Sequence, residues 1–202
     1  SRDELTRRLA AAVQTVGRLA RQMAARRDAA EGIRVALVGW TNTGKSSLFN
    51  GLAAGPGALV SDHPGPTRDY LTGELDLEGV RCLLIDTAGA RTPAAGPDAE
   101  LDRAAQTASK HQSRAAHLRL VCIDSSRALN DWEREQLAAE TSDRLRVLTK
   151  VDLLRATDFD GPAIATSSLS GVGIGALRAA VRDAALASGA FDGEVVAGTA
   201  AR

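Results

Sequence analysis

The stretch GWTNTGKSS, Gly39–Ser47, constrains the fold of this chain more than any other. Gly39 to Ser46 fits G-x-x-x-x-G-K-[ST], with an apolar strand, Ile33–Val38, before it and a helix-forming run, Lys45–Ala53, after it. Glycines let such a loop turn its amide N–H groups inward, and the first turn of the following helix adds positive potential. The pattern therefore predicts a phosphate-binding loop. A loop of this kind joins a strand to a crossover helix, which commits the chain to an α/β fold.

The rest of the chain has the matching rhythm. The runs IRVALVG, VRCLLID, LRLVCID and RLRVLT are short, rich in leucine and β-branched residues, and separated by helix-length segments. They predict a mostly parallel six-stranded sheet with helices on both faces, at Lys45–Ala53, Glu100–Ala115, Asp131–Glu140 and Ile174–Leu186. YLTGELDLEGVRCLLID alternates around Glu78-Gly79, so it reads as a hairpin that adds one antiparallel edge strand. Before the sheet, Leu9, Val13, Val16, Ala20 and Met23 recur at helical spacing, and Arg7, Arg8, Arg18 and Arg21 lie on the other side. That amphipathic helix, residues 1–31, is expected to precede a nucleotide-binding domain at 32–188 and a flexible tail at 189–202. Its arginines could meet RNA, solvent or a partner domain. The segment ARTPAAGPDA, Ala90–Ala99, is too rich in Pro and Gly for regular structure and is expected to be a mobile loop at a strand end.

Bulk composition removes several classes of partner. Lys plus Arg and Asp plus Glu are both 25, so overall charge argues neither for coating a nucleic acid nor for an anionic membrane. No apolar run approaches the ~20 residues of a membrane span. A cytoplasmic protein without membrane contact is expected. Cys82 and Cys122 each sit inside an apolar run, which fits two reduced core thiols. The chain opens at Ser1 and closes on GEVVAGTAAR, as a piece of something longer would.

Three further segments give the phosphate loop its chemistry. In LLIDTAG, Leu83–Gly89, a strand delivers Asp86 beside the loop, where it could hold Mg²⁺ together with Ser46, while the Gly89 amide meets the γ-phosphate. Lys45 is placed to reach the β- and γ-phosphates, and the amides of Thr43, Gly44, Ser46 and Ser47 to line them. In LTKVDLL, Leu148–Leu154, the Asp152 carboxylate can accept from both the ring N–H and the exocyclic amine of guanine, a donor pair that adenine lacks. Lys150 would lay its stem along the base. The segment SSLSGVG, Ser167–Gly173, could offer amides to the guanine oxygen. These parts specify a hydrolase that takes GTP to GDP.

In this order, and in detail, the sequence resembles the G domain of the MnmE (TrmE) family of tRNA-modification GTPases. G-x-x-N-x-G-K-S-S is matched by Gly39, Asn42, Gly44, Lys45, Ser46 and Ser47, and the first-switch G-T-T-R-D by Gly65, Thr67, Arg68 and Asp69. The resemblance spans residues 33–186, and the Arg-rich helix before them is similar to that family's helical segment. It implies a P-loop NTPase G domain, Thr67 as a second Mg²⁺ ligand, and motion that serves tRNA wobble-uridine modification. Ribosome-assembly GTPases of the Era, EngA and EngB type share the switch style and can carry T-K-x-D, and a GTP-binding switch with negligible hydrolysis is the non-enzymatic alternative.

The departures are specific. Pro66 replaces the first switch Thr. Thr149 stands where Asn is usual, so the bond from base loop to phosphate loop is expected to be short or absent. Ser168 and Leu169 replace Ala-Lys among Ser167, Ser168 and Leu169 of the last motif. Trp40 could cover nucleotide, meet a partner, or simply pack. Ala90 occupies the place where Ras-type enzymes hold a water-orienting Gln. The resemblance supplies a K⁺ ion and a G-domain homodimer in the GTP state to compensate, with Asn42 completing the K⁺ shell or merely bracing the loop. It also points to Asp102, in the stretch ELDR, as the water-positioning carboxylate beside Lys45 and Thr67. Otherwise Glu100 and Asp102 only enrich a helix N-terminus with acid. In the full-length protein, tRNA and a partner modification enzyme are implied.

Overall fold

The computed structural model describes residues 32–55, 57–59, 71–91, 99–139 and 141–188, with the backbone alone at 58–59 and 99–105. The expected helix over residues 1–31, the first-switch residues Gly65 to Asp69 with Thr67, most of the Ala90–Ala99 loop and the tail at 189–202 lie outside the described residues.

Seven strands form one sheet: β1 Ile33–Gly39, β2 Ala58–Leu59, β3 Leu71–Leu77, β4 Val80–Asp86, β5 Leu118–Asp124, β6 Arg144–Thr149 and β7 Ile164–Ala165. Their order is β2-β3-β4-β1-β5-β6-β7, parallel from β4 through β7 and antiparallel at β2-β3-β4. The sequence runs locate five of these strands; β2 and β7, two residues each, are too short to show any periodicity. The hairpin is as read: Glu78 and Gly79 both take positive φ, 56° and 91°, which is the two-residue turn whose twist matches paired strands. Asp76 fixes that turn by accepting from the Gly79 amide at 2.7 Å.

Four helices are described: α1 Lys45–Ala53, α2 Ala99–Ala115, α3 Asp131–Ala138 and α4 Ile174–Ala187. Helix α3 ends two residues earlier than expected, because Ala139 turns to extended backbone. Strand alternation sorts the core into two layers. Leu37, Leu120 and Val147 pack with Leu48 and Leu52 of α1 and Leu177 and Val181 of α4 on one face. Val121, Ile123 and Leu148 pack with Leu129 and Leu137 around α3 on the other. Both cysteines are free and buried, and burial pushes each thiol up to about 12, so neither is a thiolate nucleophile. Among the described residues no helix is long and apolar enough to cross a membrane.

This topology decides where a ligand can bind. The chain leaves β1 toward β4 on one side and β5 on the other, so strand order reverses at β1 and a crevice opens at the strand C-termini. Register places Leu37 opposite Asp86, Gly39 opposite Cys122 and Asp124 opposite Thr149, which brings the ends of β1, β4, β5 and β6 to one edge.

Candidate functional site

The phosphate loop wraps from Gly39 to α1 with Gly44 left-handed at φ 83° and no side chain capping the helix. The first helical amides are thus left for an anion. Thr43 is fully buried; its hydroxyl donates to the Trp40 carbonyl at 2.9 Å, so it braces the loop and only its backbone can serve phosphate. Lys45 is buried and its Nζ donates to the carbonyls of Trp40 at 2.8 Å and Gly39 at 3.2 Å. Burial holds this ammonium below the ordinary lysine range, and Asp86 partly offsets that. An anion entering the loop would draw Lys45 from those two carbonyls.

The end of β4 faces this lysine. Asp86 is 8% exposed and its Oδ1 has no hydrogen-bond partner, with the Ser46 hydroxyl beside the carboxylate. Burial pushes the carboxyl up, with Ser46 and Lys45 pulling it back. A buried orphan oxygen beside a helix-start hydroxyl is the donor set a hard cation takes, so the residues present fit Mg²⁺. Beyond it Thr87 anchors the strand end through a 2.6 Å bond to the Leu37 carbonyl. A Cβ on Gly89 would come within 2.8 Å of Lys45 Nζ and 2.9 Å of Thr41 Cα, so only glycine lets the second switch lie this close. Ala90 pairs with the loop directly, donating to the Gly39 carbonyl and accepting from Thr41, both at 2.9 Å.

The residues expected to meet the base lie at the end of β6 and in the last motif. Of the two expected alternatives, a short tether to the phosphate loop or none, the structure has the short one: Thr149 Oγ1 lies 2.6 Å from the Thr43 carbonyl and 3.0 Å from that of Ile123. A hydroxyl has one proton, so the shorter contact takes it, and the short side chain suffices because β6 runs close beneath the loop. Lys150, at φ 58°, reaches from the end of β6 to the Asn42 carbonyl at 2.7 Å and Asp124 at 2.6 Å. Burial raises the Asp124 carboxyl, but Lys150 and Ser126 outweigh that and hold it below the usual range. Asp152 is exposed. Ser167 is fully buried; its amide is bonded to Val172 and its carbonyl accepts from Gly171, so it shapes the loop. The amides of Ser168 and exposed Leu169 make no hydrogen bond among the described residues, which leaves them for a ligand. Asn42 is exposed at φ 61°, and its side chain likewise has no hydrogen-bond partner among the described residues.

Two residues escaped sequence reasoning. Asp124 ends LRLVCID as Asp86 ends VRCLLID, a parallel that could have found it. Trp132 on α3 packs its ring 6.2 Å from Trp40, tilted 47°, which shows Trp40 as a packed ring. Asp102 falls in the first turn of α2, where backbone alone is described.

The sequence profile of the 50S ribosome-binding GTPase family matches residues 34–151, more than half of the chain. The chain belongs to this GTPase family. It is 36% identical over 203 residues to the tRNA modification GTPase MnmE of Xanthomonas campestris, covering 98% of this chain and 44% of that protein. MnmE of Parvibaculum lavamentivorans is 41% identical over 151 residues, covering 75% and 32%. The chain thus spans less than half the length of these relatives. Era of Aquifex aeolicus, solved with GDP and AlF4⁻, shares the fold at a TM-score of 0.55 and 20% identity over 74% of this chain and 56% of that one. A GTP-binding protein of Sulfolobus solfataricus in complex with GDP gives 0.52 at 16%, over 86% and 58%. As a member of this family the G domain binds guanine nucleotide and is a GTP hydrolase.

Asp86 offers a first test. Its folded carboxyl is raised, so this group's contribution to stability is greatest below the ordinary carboxylate range and is lost as pH rises through the raised value. At neutral pH the charge costs stability and serves only a ligand. Asp86→Asn should therefore melt no lower than the parent chain without nucleotide, yet lose about 10-fold or more of the Mg²⁺-dependent gain in GDP affinity. Thermal melts and displacement of a fluorescent GDP, with Mg²⁺ and with chelator, read both; an undiminished Mg²⁺ gain would remove Asp86 from the metal site.

Proposed function

We propose that this chain is the GTP-hydrolysing module, residues 32–188, of an MnmE-like protein, and that its nucleotide-driven motion serves wobble-uridine modification of tRNA in the cytoplasm, with a partner modification enzyme. The observation that carries the nucleotide chemistry is the orphan Asp86 oxygen beside Ser46 and Lys45, at the edge where Thr149, Lys150 and Asp152 gather. Identity to MnmE across 98% of the chain favours that family over ribosome assembly, for which the Era likeness speaks to fold alone.

In this reading Ser46, Thr67 and Asp86 would hold Mg²⁺ and Asn42 would hold K⁺, and the two ions would supply positive charge where negative charge develops in phosphoryl transfer. Lys45 and the amides of Asn42 to Ser47 hold the phosphates in place, and Gly89 offers its amide to the γ-phosphate. Asp152 reads guanine, Lys150 covers it, Thr149 and Ser167 shape its loops, and Ser168 and Leu169 give amides to its oxygen. Asp102 orients the attacking water, since the methyl group of Ala90 cannot. Two G domains meet in the GTP state.

Single-turnover hydrolysis in matched KCl and NaCl tests the reading. We expect turnover in K⁺ to exceed that in Na⁺, and Asp102→Ala to slow it about 10-fold, the ~1.4 kcal/mol of a lost positioning contact, with GDP affinity unchanged. Equal rates in both salts would remove K⁺ from the mechanism, and normal hydrolysis by Asp102→Ala would remove Asp102.

A further inference from the structure

The sheet face beneath α2 and α3 carries charge where the opposite face carries core. Alternation and register put Arg34 of β1, Arg119 of β5, and Arg144 and Arg146 of β6 on one side, in line with Val38, Val121 and Leu148. Each is half-buried. Arg144 and Arg146 cap the last carbonyls of α3 at Gln136 and Leu137, both at 3.1 Å, Arg34 meets the neutral Gln112, and Arg119 pairs with Asp143. That leaves the Nε atoms of Arg34, Arg119 and Arg144 buried without a partner, and among the described residues Asp143 is the only carboxylate these four arginines reach. A guanidinium N–H buried without an acceptor is costly unless a ligand supplies one.

Two of these arginines, Arg119 and Arg144, floor a cleft of about 460 Å³ between the two helices. Helix α2 turns Gln106, Ser109, Lys110, Ser113 and Arg114 toward it, an i, i+3, i+4, i+7, i+8 face that is polar where a sheet-packing helix is ordinarily apolar. Trp132, Glu135 and Gln136 of α3 form the other wall, so the lining holds one carboxylate against the cations Lys110, Arg114, Arg119 and Arg144, and Val38 and Val121 form an apolar strip along the floor. Its upper end is closed by Gly39 and Ala90, so the cleft abuts both the phosphate loop and the second switch.

We propose that this cleft is a docking groove for an acidic, extended segment of a protein partner. Arg119 and Arg144 are recessed on a floor between helices, where a carboxylate on a side chain can reach them, whereas a polynucleotide backbone would meet only the exposed Lys110 and Arg114 at the rim. Guanidinium groups match carboxylates in geometry as well as charge, and the valine strip with the Trp132 ring accepts apolar side chains between the acidic ones. Trp132 contacts Trp40 of the phosphate loop, so occupancy is felt at the nucleotide site. The proposal does not depend on which reaction that site performs.

The test uses an eight-residue dye-labelled peptide alternating Glu and Leu, its Gln-for-Glu counterpart, and a single-stranded RNA octamer, each titrated by fluorescence anisotropy against the whole chain. We expect the acidic peptide to bind at least 10-fold more tightly than the Gln peptide and to shift the emission of Trp40 and Trp132, the chain's 2 tryptophans. The Lys110→Glu, Arg114→Glu double variant changes two exposed side chains and should fold, yet weaken acidic peptide binding at least 10-fold. Arg144→Gln should weaken it as well. Equal binding of the two peptides, unchanged affinity in the double variant, or RNA that binds more tightly than the acidic peptide would each overturn the proposal. GDP affinity, measured on the same samples, tells failure of the groove from failure of the nucleotide site.

Discussion

Asp152→Asn is expected to turn this G domain from a guanine binder into a xanthine binder. The Asp152 carboxylate is exposed at the end of β6, with Lys150 pinned across the phosphate loop by Asn42 and Asp124, so the acceptor pair stands open to an incoming base. Guanine brings two donors. Asparagine offers one acceptor and one donor, which leaves a guanine donor facing an amide N–H while xanthine presents a carbonyl there. A site built to hydrogen-bond a group rejects the analogue that lacks it by about 10⁴-fold, because buried polar groups are left unpaired. We expect a swing of that order in the GDP to XDP affinity ratio, read by competition against a fluorescent nucleotide. ATP should compete with neither protein. If the variant keeps its guanine preference, or if ATP displaces GDP from the parent chain as well as GTP does, the base is read elsewhere.

The second large effect is on stability. Glu133 is fully buried at the start of α3, gripped by both terminal nitrogens of Arg127 at 2.7 and 2.9 Å, and it accepts from the Asn130 amide at 3.0 Å while the Asn130 side chain accepts from the Glu133 amide at 2.9 Å. That is a capping box with an ion pair added. Removing one partner of a buried pair strands the other charge, at a cost of ~3–5 kcal/mol. Arg127 is 34% exposed, so water enters when it is lost and the lower figure applies to Arg127→Ala. A domain of this length loses about 2–4 °C of Tm per kcal/mol, so a fall of about 10 °C is expected. GDP affinity should drop as well, because Arg127 follows Asp124 and Ser126, whose loop holds Lys150. Glu133→Gln keeps both capping contacts and should lose less. A melt of Arg127→Ala within 2 °C of the parent, by the same scale, would show that the pair contributes little.

Much of this was written in local pattern. The phosphate loop, its strand and its helix could be read because glycine spacing and apolar periodicity act within one segment. The Glu78-Gly79 turn was legible for the same reason, since its two positive φ angles depend on the residues in it. Capping at Asn130 and Glu133 was equally local, and the N-x-x-E spacing would have revealed it. Family resemblance added residue roles that no periodicity contains, and Thr67 and Asp102 rest on it alone.

Only the tertiary structure could decide what passes between strands. The sequence left the Thr149 tether either short or absent; β6 lies close enough to Thr43 for a hydroxyl to span the gap, a distance set by sheet packing. Trp40 had several possible surroundings until α3 brought Trp132 beside it. Alternation tells that Arg34, Arg119, Arg144 and Arg146 each oppose a core face, but not that parallel register aligns them on one side. Backbone preference and binary pattern are properties of short segments, so the sequence by itself determined the elements, their order and the loops that meet phosphate and base. Register, closeness of approach and the balance of buried charge arise where distant segments meet, and those were determined by packing.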